Sequence, residues 1–290
     1  TTGKQRRTVR LAGIGFGATG RAGAYGMYEN HNDYTFIIIQ ILPFLFMYLK
    51  SEQGMLKRAF LALSLLACVL GVFVSLSRGG AIALMFELLL IVLIGMQGRR
   101  RLLLLPVLGL AGVVAIGYLW TMRAENQEGY TASDARYTRF ELWRAARKIV
   151  EAKPLLGVGS RRFHEYSQQY AEISYDNRGK VTHNTYLEIL TGSGFVGFVP
   201  FCLMIWWLIR ELRRSPPASG PPWLDATRIA TLISLYTILL RGMLDAKAHD
   251  WSFYTLCAIG VTCCAIQRHS LSLPAAKIGA NRSPQVSGAG

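Results

Sequence analysis

Charge is scarce in this chain, and acid is scarcer than base. Only 17% of the residues are Asp, Glu, Lys or Arg, against 51% hydrophobic, and the mean hydropathy is +0.27. So apolar and unevenly distributed a composition excludes a single soluble domain. The five cysteines, Cys68, Cys202, Cys257, Cys263 and Cys264, all fall in apolar stretches. None has metal-ligand spacing in a polar segment, so neither a zinc site nor a disulfide is expected. The adjacent Cys263 and Cys264 read as small hydrophobes. Acidic residues number 17 against 32 Lys and Arg, a formal net charge of +15. The basic residues are split among short polar segments, so a contiguous nucleic-acid surface is not expected. Anionic lipid headgroups and, for a subset of the arginines, a phosphorylated substrate suit them better. There is no internal repeat. The opening Thr1–Thr2–Gly3 has no signal-like charged region, and the chain reads as a piece of something longer.

What is present is a series of apolar blocks, Tyr34–Leu49, Arg58–Leu76, Gly80–Met96, Leu102–Trp120, Phe195–Ile209, Arg228–Leu244 and Trp251–Ile266. Each runs to roughly 16–20 residues, about what a helix needs to cross a hydrocarbon core. In that core every backbone N–H and C=O must be satisfied within the segment, so the blocks are predicted to be helices. The expectation is an all-α polytopic membrane protein with about seven transmembrane helices. Pro43, Pro106 and Pro200 lie inside blocks, where neighbouring helices tolerate a kink.

Lys50, Lys57 and Arg58, then Arg99, Arg100 and Arg101, then Arg210, Arg213, Arg214 and Arg228, mark the cytoplasmic connections by the positive-inside bias. The opposite side then receives the Gly-rich residues up to Asp33, the Ser77–Gly80 turn, the loop from Thr121 to His183, and Asp245–Asp250. Three of these four also carry arginine, and anion binding explains arginine on the translocated side. The expected divisions are a periplasmic Gly-rich segment 1–33, four transmembrane helices in 34–120, a periplasmic helical loop 121–194, three transmembrane helices in 195–267, and a disordered cytoplasmic tail 268–290. Pro216–Pro222 also reads as disordered.

The long loop is predicted to hold a helix over Ser133–Ala152, capped by Ser133 or Asp134 and stopped by Pro154. At 100° per residue Leu142, Trp143, Ala146, Ile149 and Val150 share a face, with Arg139 in its middle and Glu141, Arg144 and Lys148 on the solvated side. An arginine on an apolar stripe needs an anion or a route to water; stacking on Trp143 or pairing with a loop carboxylate is the plainer alternative. His183 lies at or just before a second helix start, where Thr185 and Glu188 have capping-box spacing and Thr182 or Asn184 are alternative caps. The positive end of that helix favours a neutral imidazole, the state a general base requires; a nearby anionic substrate pushes the other way. Ser77–Arg78–Gly79–Gly80 offers backbone N–H groups and a guanidinium at a third helix start, which suits an anion, although an arginine there can simply anchor a span. Arg21, followed by Asn32 before the first block, is a further candidate. Glu87 is the one carboxylate deep in a block, either paired with a polar partner on a helix not present here or marking a proton or ion path.

Taken in order, these residues resemble the O-antigen ligase family, membrane glycosyltransferases that share a domain with O-antigen polymerases and some protein O-oligosaccharyltransferases. The resemblance rests on Arg21–Ala22–Gly23 with Asn32, Ser75–Leu76–Ser77–Arg78–Gly79–Gly80, Arg139 with Trp143, Pro154–Leu155–Leu156–Gly157–Val158–Gly159 with Phe163, and His183–Asn184 with Tyr186–Leu187–Glu188. It covers roughly Arg21 to Gly197. His31 stands where the family usually has Pro before its Asn, and family members usually have several spans upstream of the Arg21 motif, so this reads as the C-terminal part of a longer enzyme.

The resemblance implies a glycosyltransferase C-type fold in a bacterial inner membrane, with the active site on the periplasmic face. It implies transfer of a glycan from undecaprenyl diphosphate to a lipid A-core or other hydroxyl acceptor, with inversion, no metal and no cofactor. On that implication His183 is the catalytic base, Arg78, Arg139 and Arg21 bind the diphosphate, and Asn184, Asn32, Trp143, Ser77 and Gly79 support them. O-antigen polymerase and protein O-oligosaccharyltransferase activities stay open, and a membrane transporter is a remote alternative.

Overall fold

A computed structural model of the chain describes residues 9–11, 14–16, 22–24, 31–52, 54–75, 77–96, 98–125, 132–214, 221–246 and 250–272. The fold is all-α and polytopic. Every apolar block becomes a helix: α1 (His31–Ser51), α2 (Met55–Val74), α3 (Arg78–Leu90), α4 (Arg99–Glu125), α7 (Thr185–Arg214), α8 (Pro222–Gly242) and α9 (Trp251–Ser272). Five stretches, in α1, α2, α3 with its extension to Gly95, α7 and α8, are long and apolar enough to cross a membrane by length and composition. The polar stretch between α4 and α7 holds α5 (Ala132–Ala152) and a short α6 (Phe163–Tyr170). Three short antiparallel strands, β1 (Val9–Leu11), β2 (Ile14–Phe16) and β3 (Ala22–Ala24), precede α1. The Gly-rich composition there gave no strand signal.

The apolar faces of α2 and α4 are turned outward: Leu56, Phe60, Leu63, Leu66 and Leu70, with Leu102, Leu103, Val107 and Leu110, are all exposed. Such faces suit hydrocarbon as the surrounding medium. The centre is α8, whose apolar window is 61% buried against 6% for α2. It packs on one side against Leu208 and Leu212 of α7 and Leu256 of α9, and on the other, through Ile233, against Ile39 and Leu42 of α1 and Leu84 of α3. A helix this enclosed can carry hydroxyls only if they are satisfied. Thr227, Thr231 and Thr237 donate back to the carbonyls four residues earlier, while Ser234 Oγ donates across to the Gln40 carbonyl of α1 at 3.0 Å.

α8 begins at Pro222, six residues before the block read from composition, and this changes the role of Arg228. It is not a loop cation but a buried one, donating to Asp225 Oδ1 at 2.9 and 2.6 Å and to the Leu212 carbonyl at 2.7 Å. Most of Pro216–Pro222 and the tail beyond Ser272 lie outside the described residues.

α5 buries the face expected of it. Leu142, Ala145, Ala146 and Ile149 are fully enclosed against Phe163, Ala171 and Ile173, with Trp143 and Val150 half-buried. Glu141, expected among the solvated charges, instead accepts from the Ser174 backbone, from Ser174 Oγ at 2.9 Å and from Asn177 Nδ2 at 2.6 Å. Burial pushes its carboxyl up, but these hydrogen bonds and the Lys180 charge outweigh that and hold it below the usual glutamate range.

The Pro154–Gly159 segment is more than a connector. It lies backbone to backbone along a break in α7: Val158 N–H donates to the Thr191 carbonyl and Gly159 N–H to the Gly192 carbonyl, both at 2.9 Å, and Phe195 N–H returns to the Pro154 carbonyl at 2.8 Å. The break is at Gly194, with φ 60° and ψ −163°, a conformation closed to L side chains. A Cβ on Gly194 would run into the Leu155 carbonyl, and one on Gly157 into that of Thr191. The carbonyls freed where α7 breaks are thereby satisfied by the docked segment.

Candidate functional site

The first part of the site is built where α3 begins. Ser77 caps α3 by accepting from Gly80 N–H at 3.1 Å, as a serine at that position should. The same Oγ donates to Asn32 Oδ1 at 2.7 Å, tying the start of α3 to the start of α1. Arg78 is the first residue of α3 and is half-buried. A Cβ on Gly79 would meet nothing within 4 Å, so the described packing does not demand glycine there.

The second part is the entry to α7. Asn184, one of the alternative caps, is the one used: its Oδ1 accepts from Tyr186 N–H at 3.0 Å and Leu187 N–H at 3.1 Å. The Thr185 and Glu188 box is not formed. Buried Glu188 accepts instead from Thr182 Oγ1 at 3.0 Å, and Thr185 Oγ1 donates to the Asp245 carbonyl at 2.8 Å. Trp143 Nε1 donates to the Thr182 carbonyl at 2.9 Å, so α5 also holds this entry. His183 sits between these anchors with φ 50°, left-handed backbone that histidine tolerates better than most side chains.

Both parts meet at the end of α8. Asn184 Nδ2 donates to the Met243 carbonyl at 3.4 Å, and Arg139 Nη2 to the Leu244 carbonyl at 3.3 Å. His183 Nδ1 lies 3.9 Å from Asp245 Oδ1. One turn earlier, Arg241 Nη2 donates to the Asn32 carbonyl at 2.8 Å and to Thr35 Oγ1 at 3.0 Å. Residues 241–245 therefore join Asn32 and Ser77 to Arg139, His183 and Asn184. Arg139 is half-buried on the stripe where periodicity put it, and its guanidinium reaches off that stripe to a carbonyl.

Sequence reasoning missed Arg241 and Asp245. Arg241 lies inside an apolar block and carried the same signal as Glu87, an ionisable residue where one is costly, yet it stands near enough to the block end to read as a flanking charge. Asp245 had no pattern around it. Arg21 lies outside the described residues. Glu87, within α3, is wholly buried, and neither carboxyl oxygen has a hydrogen-bond partner among the described residues.

A multi-pass α-helical protein with arginines, a histidine and a carboxylate gathered at one end of the bundle is equipped for anionic substrates at a membrane surface. Residues 62–202, a little under half of the chain, match the family model for O-antigen ligase. What this stretch is similar to is thus a ligase- or polymerase-type membrane enzyme. The matched stretch contains Ser77, Arg78, Arg139, Trp143, His183 and Asn184, and stops short of Arg241 and Asp245. No curated protein matches the chain.

Proposed function

We propose that the protein transfers a glycan from undecaprenyl diphosphate to a hydroxyl of a lipid A-core acceptor, on the periplasmic face of a bacterial inner membrane. The acceptor oxygen forms a bond to the anomeric carbon while the bond from that carbon to the diphosphate oxygen breaks. The electron pair leaves with the diphosphate and the configuration inverts. His183 takes the acceptor proton. With Nδ1 turned toward Asp245, the second ring nitrogen is the one available to the substrate, and Asp245 orients the ring and stabilises its positive charge as the proton arrives. Arg78 and Arg139, with Arg21, hold the diphosphate; fixed guanidinium groups stabilise the charge that develops on the leaving group.

The observation that carries this reading is the approach of His183 to Asp245 on the same short strip that receives Arg139. His183 and Arg139 thereby approach two consecutive residues just past α8, Asp245 and Leu244.

The test uses the full-length protein, purified and supplied with undecaprenyl-diphosphate glycan and either lipid A-core or a peptide acceptor. Glycosylated lipid A-core is expected with the wild type, and none with His183→Ala. Product on peptide alone would make the protein a protein O-oligosaccharyltransferase, and chain extension without an added acceptor would make it a polymerase. Transfer that survives His183→Ala unchanged would remove the base assignment.

A further inference from the structure

α8 carries two buried arginines, and they are satisfied differently. Arg228 is matched in full at the helix start: Nε and Nη2 go to the Asp225 carboxylate and Nη1 to the Leu212 carbonyl. Arg241, in the last turn, is more deeply enclosed at 2% exposure. Its Nη2 is used twice, on the Asn32 carbonyl and Thr35 Oγ1. Its Nη1 is buried with no hydrogen-bond partner among the described residues.

A buried guanidinium N–H without an acceptor is costly, because water has been removed and nothing has replaced it. The surroundings add to that cost. Arg139 carries like charge within electrostatic reach of Arg241, while Asp245 and Asp33 supply charge of the opposite sign. Two guanidinium groups brought together at one end of a helical bundle, one of them with an open donor, are completed by an anion with several oxygens. The Nη2 contacts hold the fork of Arg241 rigid through α1, so Nη1 is presented in a fixed direction.

We propose that Arg241 is a further phosphate-binding residue, whose Nη1 donates to an oxygen of a diphosphate shared with Arg139. The proposal rests on the reading of the site as one for a diphosphate-linked lipid, and goes beyond it by adding a cation from outside the matched domain. Through Asn32 and Ser77 the same side chain is linked to the start of α3, so Arg78 is held in register with the anion that Arg241 and Arg139 receive. The shared chemistry is the diphosphate group. It can arrive on a polyprenyl lipid in the bilayer or as inorganic pyrophosphate from solution.

The full-length protein in nanodiscs of zwitterionic lipid is titrated with inorganic pyrophosphate in one arm. In the other, undecaprenyl diphosphate is incorporated at increasing mole fraction. Binding is read by the rise in unfolding temperature and by tryptophan fluorescence. Arg241→Gln is expected to weaken binding at least tenfold in whichever arm the wild type responds to. Arg241→Lys, which can keep one contact to Asn32 but cannot also present a second fixed donor, is expected to fold and bind severalfold more weakly. Arg228→Gln is the control for loss of a buried arginine from α8: it lowers the unfolding temperature and leaves the diphosphate-dependent rise intact.

Wild-type affinity in folded Arg241→Gln would overturn the proposal. If that variant does not fold, wild-type affinity in Arg241→Lys overturns it. No response of the wild type in either arm overturns it as well. Diphosphate binding that depends on Arg241, in a protein that transfers no glycan, would uphold this proposal and sink the transferase reading; glycan transfer with Arg241-independent binding would do the reverse.

Discussion

Oδ1 of Asp245, just beyond α8, stands 3.9 Å from Nδ1 of His183, just before α7. The distance is longer than a hydrogen bond, and the same Oδ1 accepts from Ala246 N–H at 3.0 Å. Catalytic hydrogen bonds often tighten only when substrate binds.

His183→Asn is therefore the informative variant at this position. Asparagine accepts left-handed backbone, so the φ of 50° is kept while the imidazole proposed as the base is lost. The turnover number is expected to fall on the order of 10²–10⁴-fold, the usual contribution of a positioned general base. Asp245→Asn should show a smaller loss, in turnover number rather than KM for the donor. Steady-state kinetics with a defined lipid acceptor checks both, and an unchanged turnover number in Asp245→Asn would dismiss the orienting role.

Asn184→Ala removes the acceptor for Tyr186 N–H and Leu187 N–H and the contact to the Met243 carbonyl. Loss of such a cap costs about 1 kcal/mol. The expected result is a modestly lowered unfolding temperature together with a greater loss of transfer than that destabilisation explains, because His183 is the adjacent residue. Asn184→Asp, which retains the capping oxygen, should recover most of the stability.

Gly194→Ala should be among the most damaging small substitutions in the chain. It adds a side chain at a φ of 60° and drives a Cβ into the Leu155 carbonyl. The backbone strain alone is worth about 1–3 kcal/mol, and loss of the docked Pro154–Gly159 segment adds to it. Gly179→Ala supplies the comparison, since its φ is also positive, at 77°, with nothing within 4 Å of the new Cβ. Equal unfolding temperatures for the two variants would contradict the backbone docking as a stabilising feature.

Glu141 makes the loop after α6 sensitive to acid. Its folded carboxyl titrates below its ordinary value of 4.5. The unfolded state therefore takes up its proton first as pH falls, and the stabilisation is complete above that value and lost as pH drops through the lower, folded one. Limited proteolysis should leave the residues around Ser174 and Asn177 intact at neutral pH and expose them in strong acid. In Glu141→Gln the same cleavage should occur at neutral pH; resistance there would show that the carboxylate charge is not what holds the loop.

The helices were legible because hydrocarbon imposes a local rule: each segment must satisfy its own backbone, so an apolar run is a helix wherever it later packs. The buried face of α5 was legible for a similar reason, since a 3.6-residue period states which side chains share a side. The role of Asn184 was only one of several permitted caps. Glu141 was misplaced because periodicity separates apolar from polar faces but does not say which polar side chain will meet a loop. The three strands before α1 are only three residues each and set among glycines, too short for any alternation to announce them.

By itself, then, the sequence determined the membrane-spanning class, the positions of the helices, and the residue types able to handle an anion: Ser77, Arg78, Arg139 and His183. Only the tertiary structure decided that Asn32, which holds Ser77, converges with Arg139, His183 and Asn184 on residues 241–245 of the chain. Arg241 meets Asn32 across 209 positions and Arg139 meets Leu244 across 105. Contacts at such separations arise from how α1, α5, α7 and α8 pack together, and no local period records them.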